Sequence, residues 1–293
     1  MNTLTSIFRA GISLNEKSIF QACTLGAYSR TLFYCVALLF TSFPLHTIGA
    51  ESDRNQSEKI LLSIDFNHPL SQHELQILSN EHVDLAKNEG PDNSNAIIVS
   101  YVGSAHGSQR VIEVLTLGRS TESAALSYNV KFSSDFQWVK GGKLHGVSSI
   151  DPISGGKKRE PGNWSARLNF EHNGGARTYI YEQSVDKKWG IGESSSTHFF
   201  KKNQWYSIEI LVHLNTSKNK YGSMQVYIDR ELAIEHKNIE FRKYLSKESQ
   251  IGKFLFSTFH GGNSLEYSPT DKSGKPTTVH AYFDNFIIRD LSK

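Results

Sequence analysis

The stretch Trp164-Ser165-Ala166-Arg167-Leu168-Asn169-Phe170, followed closely by Tyr179-Ile180-Tyr181, constrains the fold more than any other part of the chain. Both runs alternate strictly. Ser165, Arg167 and Asn169 therefore share one face of a strand and Tyr179 and Tyr181 one face of the next, while Trp164, Ala166, Leu168, Phe170 and Ile180 turn the other way. Between the runs, His172-Asn173-Gly174-Gly175 is a hairpin turn signal. If one face of the hairpin is to stay polar, facing residues must come from the same alternation class, which requires a connecting loop with an odd number of residues. A loop over Asn173 to Gly175 sets Arg167 opposite Tyr181, Asn169 opposite Tyr179 and Leu168 opposite Ile180. The result is one cluster of a cation and two phenols on a sheet face.

The rest of the chain is also β-patterned. Strand-like segments recur at Lys59 to Phe66, Ala96 to Val102, Gln109 to Thr116, Ala124 to Val139, Thr178 to Tyr181, Trp205 to Leu214, Ser223 to Ile228, Lys253 to Phe259 and Val279 to Ile288, with turn residues between them. Ser71 to Lys87 carries helical spacing at Leu75, Ile77, Leu78 and Leu85 and is the one predicted helix. Many short strands without an internal repeat or linker predict an all-β fold: a single-domain jelly roll, a two-sheet antiparallel sandwich over residues 51–293 with a short helix near its start. From Tyr128 to Trp138 the even positions are mainly aromatic or aliphatic and the odd ones, Gln137 among them, polar. A sandwich buries the first set between its sheets and leaves an outer sheet face open to a ligand.

Residues 1–50 differ in kind. The apolar run from Leu32 to Phe43 follows Arg30, is too short to span a bilayer comfortably and leads to small residues at Thr47 to Ala50, the pattern of a secretory signal cleaved near Ala50. An uncleaved membrane anchor or a start codon placed too far upstream are the alternatives. Secretion or export to the periplasm is the expectation, with membrane association only if the leader stays. Both cysteines, Cys23 and Cys35, belong to the leader, so the mature chain has no thiol for a disulfide or metal site. Cleavage removes Arg9, Lys17 and Arg30 against Glu16, which lowers the net charge from +3 to about +1. Bulk charge then gives no reason to expect a nucleic-acid partner, and any acidic ligand must be recognised locally.

Lys140-Gly141-Gly142-Lys143-Leu144-His145-Gly146 closes the long strand with two glycines that let Lys143 swing over the neighbouring sheet face; the plainer reading is a basic hairpin loop. This segment, the Trp164 to Phe170 run, Tyr179-Ile180-Tyr181, Phe256-Ser257-Thr258-Phe259-His260-Gly261-Gly262 and the closing Tyr282-Phe283-Asp284-Asn285-Phe286 together resemble polysaccharide lyase family 14, the alginate and glucuronan lyases. The resemblance runs over about residues 125–290. It implies a β-jelly roll that cleaves polyuronates by β-elimination, without a cofactor, with site residues Lys143, Ser165, Arg167, Tyr179 and Tyr181. Family members commonly carry proline where this chain has His145 and an aromatic residue where it has His260, which bears on substrate preference.

The chemistry of the residues agrees. Removing the C5 proton of a uronate leaves a carbanion stabilised only through its carboxylate, which calls for cations there, and Arg167 and Lys143 supply them. A base must take the proton and an acid must protonate the departing O4; Tyr179 and Tyr181 are assigned these roles in either order. Ser165, Asn169, Gln137 and His260 are the expected substrate contacts, His260 also as an alternative base, although a lone loop histidine is more often merely solvated. Asp284 and Asn285 are read as structural or as calcium ligands, and no ligand cluster with recognisable spacing supports a metal. The expected partner is an acidic polysaccharide bound by a monomer. The competing reading is a non-catalytic carbohydrate-binding jelly roll; a sandwich-type hydrolase is disfavoured because no E-x-D-x-x-E strand appears.

Overall fold

The computed structural model describes residues 59–292. The leader with Cys23 and Cys35, the cleavage point near Ala50 and most of the following linker lie outside the described residues. The chain begins with β1 (Lys59–Ile64), α1 (Gln72–Leu78), β2 (Val83–Ala86), β3 (Ala96–Ser104), β4 (Gly107–Ser108) and β5 (Val111–Thr121). Its middle holds β6 (Ser123–Phe132), β7 (Gly141–Ser148), β8 (Ser165–Glu171), β9 (Gly175–Tyr181) and β10 (Ser194–Phe199). β11 (Trp205–His213), β12 (Gly222–Ile228), β13 (Glu231–Ile239), β14 (Ile251–His260) and β15 (Thr278–Asp290) complete it.

These strands build two antiparallel sheets. A nine-stranded sheet runs β13-β12-β11-β6-β15-β3-β2, with β1 added to β15 and β4 to β3; a six-stranded sheet runs β10-β9-β8-β7-β14-β5. Neighbours distant in sequence, β6 beside β15 and β7 beside β14, give the jelly-roll crossovers that the strand pattern predicted. The inner faces meet in one apolar cluster: Tyr128, Val130 and Phe132 of β6 and Phe283 and Phe286 of β15 from one sheet, Ala166, Leu168 and Phe170 of β8 and Phe254 and Phe256 of β14 from the other. Alternation thus determines which residues enter the core, and each large side chain buried there contributes about 1.5–3 kcal/mol.

The structure departs from the sequence reading at several places. The helix expected over 71–87 stops after seven residues at Leu78. Ser71 caps it by accepting from the Glu74 N–H, while the Glu74 carboxylate accepts from the Ser71 N–H and from the N–H groups of Asp65 and Phe66, tying the helix to the end of β1. Beyond Asn80 the chain re-enters the sheet, because pairing β2 with β3 satisfies backbone groups that a longer helix would leave on the surface. The strand expected from Ala124 to Val139 ends at Phe132; Ser133 to Asp135 turn the chain and fold Phe136 back into the core. The glycine-rich 140–146 segment, expected to be a loop, is the start of strand β7. Strands β10 and β13 had no alternation strong enough to mark them.

The hairpin turn is a three-residue one, as the parity argument required, but it spans His172–Gly174 rather than Asn173 to Gly175. Asn173 (φ 66°) and Gly174 (φ 81°) take the left-handed positions, so Gly175 already belongs to β9. Ser165 therefore faces Tyr181, Arg167 faces Tyr179 and Asn169 faces Arg177. The polar face survives, with Arg167 moved to the other tyrosine.

His145 sits wholly inside the core, its ring stacked on Phe256 at 4.5 Å and edge-on to Tyr128, Phe283 and Phe286. Both ring nitrogens lack a hydrogen-bond partner, a cost of roughly 1–3 kcal/mol per orphaned group. Burial lowers its pKa from 6.5 to about 3. The unfolded chain therefore binds a proton below pH 6.5 that the folded chain refuses, and stability attributable to this position falls as pH drops from about 6.5 toward 3. Replacement His145→Leu is expected to stabilise the protein, with an advantage over wild type that widens by about 1.4 kcal/mol per pH unit below pH 6. Urea midpoints at pH 7, 6 and 5 check this; parallel midpoints for the two proteins would contradict it.

Candidate active site

The outer face of the six-stranded sheet gathers the polar residues. On β8 and β9 the inward positions Ala166, Leu168, Phe170 and Ile180 join the core, which leaves Ser165, Arg167, Asn169, Tyr179 and Tyr181 on the outside. Lys143 reaches the same face from β7 because the strand is bulged. Lys143 pairs with Asn169 and Gly146 with Arg167, so β7 spends two residues, Leu144 and His145, opposite the single Leu168. Both of those side chains turn inward, and the alternation resets around them. Gly146 permits the close approach of the two strands: a Cβ there would lie 2.0 Å from the Ala166 carbonyl oxygen and 2.7 Å from the Arg167 Cα.

The electrostatics of the cluster are unusual. Arg167 is 6% exposed, and among the described residues it forms no ion pair; its Nε is buried without a partner. Burial lowers the guanidinium to about 10, partly offset by the phenols of Tyr181 and Tyr179, so it stays charged at neutral pH. The Lys143 Nζ lies 3.2 Å from the centroid of the Tyr179 ring and likewise has no carboxylate partner. Burial, then the positive charges of Arg167 and Arg110, push its pKa well below the ordinary lysine range. The ring contact favours the ammonium and opposes this shift. Burial and the Tyr181 hydroxyl raise the pKa of Tyr179, against the opposing pull of the Gly190 N–H and Arg167.

Two loops cover the phenols. The Gly156 N–H donates to the Tyr181 hydroxyl (3.1 Å) and the Gly190 N–H to the Tyr179 hydroxyl (3.3 Å), while the two hydroxyls stand 3.4 Å apart. Gly156 has φ 72°, and a Cβ on it would press to 3.0 Å from the Trp189 ring, so the turn over Tyr181 depends on glycine. Arg159 fastens one loop to the other: its guanidinium donates to the carbonyls of Lys187 and Trp189 and lies 5.4 Å from the centroid of the Tyr181 ring. Tyr181 is fully buried beneath this cover and Tyr179 only partly.

The other expected contacts divide. Asn169 is in the cluster, its Oδ1 buried and without a partner. Ser165 is on the correct face, but its hydroxyl donates to the Ile153 carbonyl (2.6 Å); it anchors the covering loop and does not present itself to a ligand. Gln137 lies in the turn after β6, where its side-chain amide clamps the backbone of Thr270 (2.9 and 3.0 Å). His260 is corrected outright. As an even position of β14 it points inward, is 1% exposed, donates from Nε2 to the Gln137 carbonyl (2.7 Å) and is ringed by Tyr101, Phe136 and Phe170. Asp284 accepts from the Ser94 hydroxyl (2.9 Å) and the Asn285 N–H (2.7 Å) at a bulge in β15. Burial raises its pKa to about 6. Among the described residues no group of three His, Asp or Glu side chains could hold a metal ion. Sequence reasoning missed Arg110 and Arg159. The first lies just before an alternating strand, but only the β5–β14 pairing brings it to the row of Lys143; the second sits in an aperiodic loop that carries no signal.

Comparison with known proteins gives a consistent picture. The model of the family Polysaccharide lyase 14 matches residues 98–286. Among solved structures, the chain is similar to the alginate lyase Aly36B (TM-score 0.61, 22% identity, covering 78% of this chain and 96% of that one). It is similar also to the marine PL-14 alginate lyase from Aplysia kurodai (TM-score 0.58, 20% identity, 78% and 98% covered). A third likeness is to the endo-β-1,4-glucuronan lyase from the fungus Trichoderma reesei (TM-score 0.55, 11% identity, 80% and 96% covered). At these identities the likenesses establish a shared fold. No curated protein sequence matches the chain. The family match extends over well over half of the chain and takes in Lys143, Arg167, Tyr179 and Tyr181, so the chain belongs to polysaccharide lyase family 14.

Proposed function

We propose that the protein is a secreted polyuronate lyase that cuts an alginate- or glucuronan-type polymer by β-elimination, with Lys143, Arg167 and Tyr179 carrying the reaction. One observation bears most of the weight: on the outer sheet face a buried guanidinium and a half-buried amine have, among the described residues, no carboxylate to neutralise them. Burying charge uncompensated is costly, and an anionic ligand offsets that cost. The structural likeness to alginate and glucuronan lyases supports a uronate polymer as that ligand.

Arg167 receives the carboxylate of the reacting sugar and stabilises the negative charge that develops on it as the C5 proton leaves. Lys143, as the neutral amine, takes that proton. The electrons of the C5–H bond form a C4=C5 double bond, the C4–O4 bond breaks, and O4 departs with a proton from Tyr179. The raised pKa of Tyr179 suits it to the acid role, and the lowered pKa of Lys143 suits it to the base role. This assignment replaces the expectation of two tyrosines sharing both roles, since Tyr181 is sealed beneath the Gly156 turn. Asn169, with its unpartnered oxygen, orients a sugar hydroxyl. The leader directs the chain out of the cell, where a polymer too large to enter is met.

Incubation with alginate and glucuronan is expected to generate the ultraviolet absorbance of an unsaturated uronate, and Arg167→Ala to lower kcat by about 10²–10³-fold. Polymer binding without any unsaturated product would leave a carbohydrate-binding protein instead. Wild-type kcat/KM should rise with pH along a limb set below the ordinary lysine range. Lys143→Arg keeps a long N–H donor at the position but stays protonated and cannot accept a proton, so kcat should drop by at least about 10²-fold and that limb should vanish; a variant profile parallel to wild type would remove Lys143 as the base. Mass spectrometry of exported protein should find a new N-terminus near Glu51, and an intact leader on protein in the medium would refute cleavage.

A further inference from the structure

Antiparallel pairing lines up one row of residues across the outer face. Arg177 of β9 faces Asn169 of β8, Asn169 faces Lys143 of β7, and Lys143 faces Phe259 of β14. Continuing the β14–β5 register, in which Thr258 faces Val111, sets Arg110 beside Phe259. The Arg110 guanidinium carbon lies 5.3 Å from the centroid of the Phe259 ring. Two strand spacings separate Arg110 from Lys143, about 10 Å.

Arg110 is exposed and, among the described residues, forms no hydrogen bond or ion pair. Phe259 alternates with the inward-facing Thr258 and His260 and stands opposite Lys143, so the guanidinium beside its ring lies on the reaction cluster's side of the sheet. The contact with the Phe259 ring leaves the N–H groups of the guanidinium free to bind an anion in two-pronged fashion. Two residues along β14 from Phe259 and opposite Ile112, Ser257 is 2% exposed with no hydroxyl partner among the described residues, and its position alternates with the inward-facing Phe256 and Thr258. Ile112 and Val114 continue the same face along the edge strand β5, where they are 44% and 38% exposed. The track from Asn169 to Arg110 therefore carries polar groups without protein partners for more than the width of one sugar.

We propose that Arg110 holds the carboxylate of a second uronate residue of the same polymer chain, so that the substrate crosses the strands from β9 toward β5 with its reacting sugar at Arg167 and Lys143 and a later sugar gripped at the edge. The inference rests on the polyuronate-lyase reading. Arg110 serves binding and register, and Tyr179 and Lys143 remain the groups that move protons. Arg167 on β8 and Arg110 at the start of β5 stand three strand spacings apart, at least about 14 Å, so the gripped carboxylate belongs to a sugar beyond the immediate neighbour of the reacting one.

The test compares wild type, Arg110→Gln and Arg110→Lys on long polyuronate and on the shortest oligomer that is still cleaved, with retardation in polyuronate-loaded gels measured in parallel. Arg110→Gln is expected to raise KM on the polymer roughly 3–10-fold with kcat within about twofold of wild type, to weaken retardation, and to leave the shortest oligomer unaffected. Arg110→Lys should recover part of the affinity. An unchanged KM and retardation overturn the proposal while leaving the lyase reading intact, and so does a kcat loss of equal size on long and short substrates. If wild type cleaves no polyuronate, the lyase reading fails by itself; gel retardation then decides for Arg110, unchanged retardation overturning its role and weakened retardation supporting it.

Discussion

The burial of Arg167 with no counter-charge among the described residues is the constraint around which the rest of the site is arranged. A guanidinium 6% exposed and unpaired would ordinarily be expelled or matched with a carboxylate. Here it is held in place by the strand that carries it, since Ala166 and Leu168 on either side are locked into the core. The large apolar interface between the sheets supplies the stability that lets the outer face keep this strain. The guanidinium is thus largely desolvated before any ligand arrives, and in the proposed reaction an incoming carboxylate would meet a cation that need not reorganise.

A second consequence of that arrangement is the bulge in β7. Were β7 regular, Lys143 and His145 would share a face, and either the lysine would be driven into the apolar core or the histidine would join the cluster. The extra residue sends Leu144 and His145 inward together and leaves Lys143 beside Asn169. Bulges re-aim side chains at functional sites, and Gly146 makes this one possible by letting β7 lie against β8. The buried, unpartnered ring of His145 is the stability cost of this packing.

The covering loops add a different kind of control. Backbone N–H groups of Gly156 and Gly190 fix the two phenols from above, and Arg159 binds the loops to each other. The cover distinguishes two tyrosines that are equivalent on the strand: Tyr179 stays partly exposed on the sheet face, and Tyr181 is fully buried beneath the loops. Loops placed over a rigid sheet are where such distinctions are commonly made.

Much of this was legible in the order of residues. Period-two alternation in Trp164 to Phe170 and in Tyr179 to Tyr181 is a local property, so it determined the all-β class, the polar face and the membership of Arg167, Asn169, Tyr179 and Tyr181 in a single cluster. The odd-loop argument was sound for the same reason, since parity depends only on counting. Position within that parity was decided by which turn residues accept left-handed conformations, and Asn173 and Gly174 moved the register by two, giving Arg167 to Tyr179. Whatever depends on contact between distant segments was invisible: the bulge that turns Lys143 out and His145 in, the inward aim of His260 on β14, the Ser165 bond to Ile153, and the placing of Arg110 in the row of Lys143. Alternation reports which residues share a face, but only the packing of one strand on another decides which face meets the core and which neighbours complete the site.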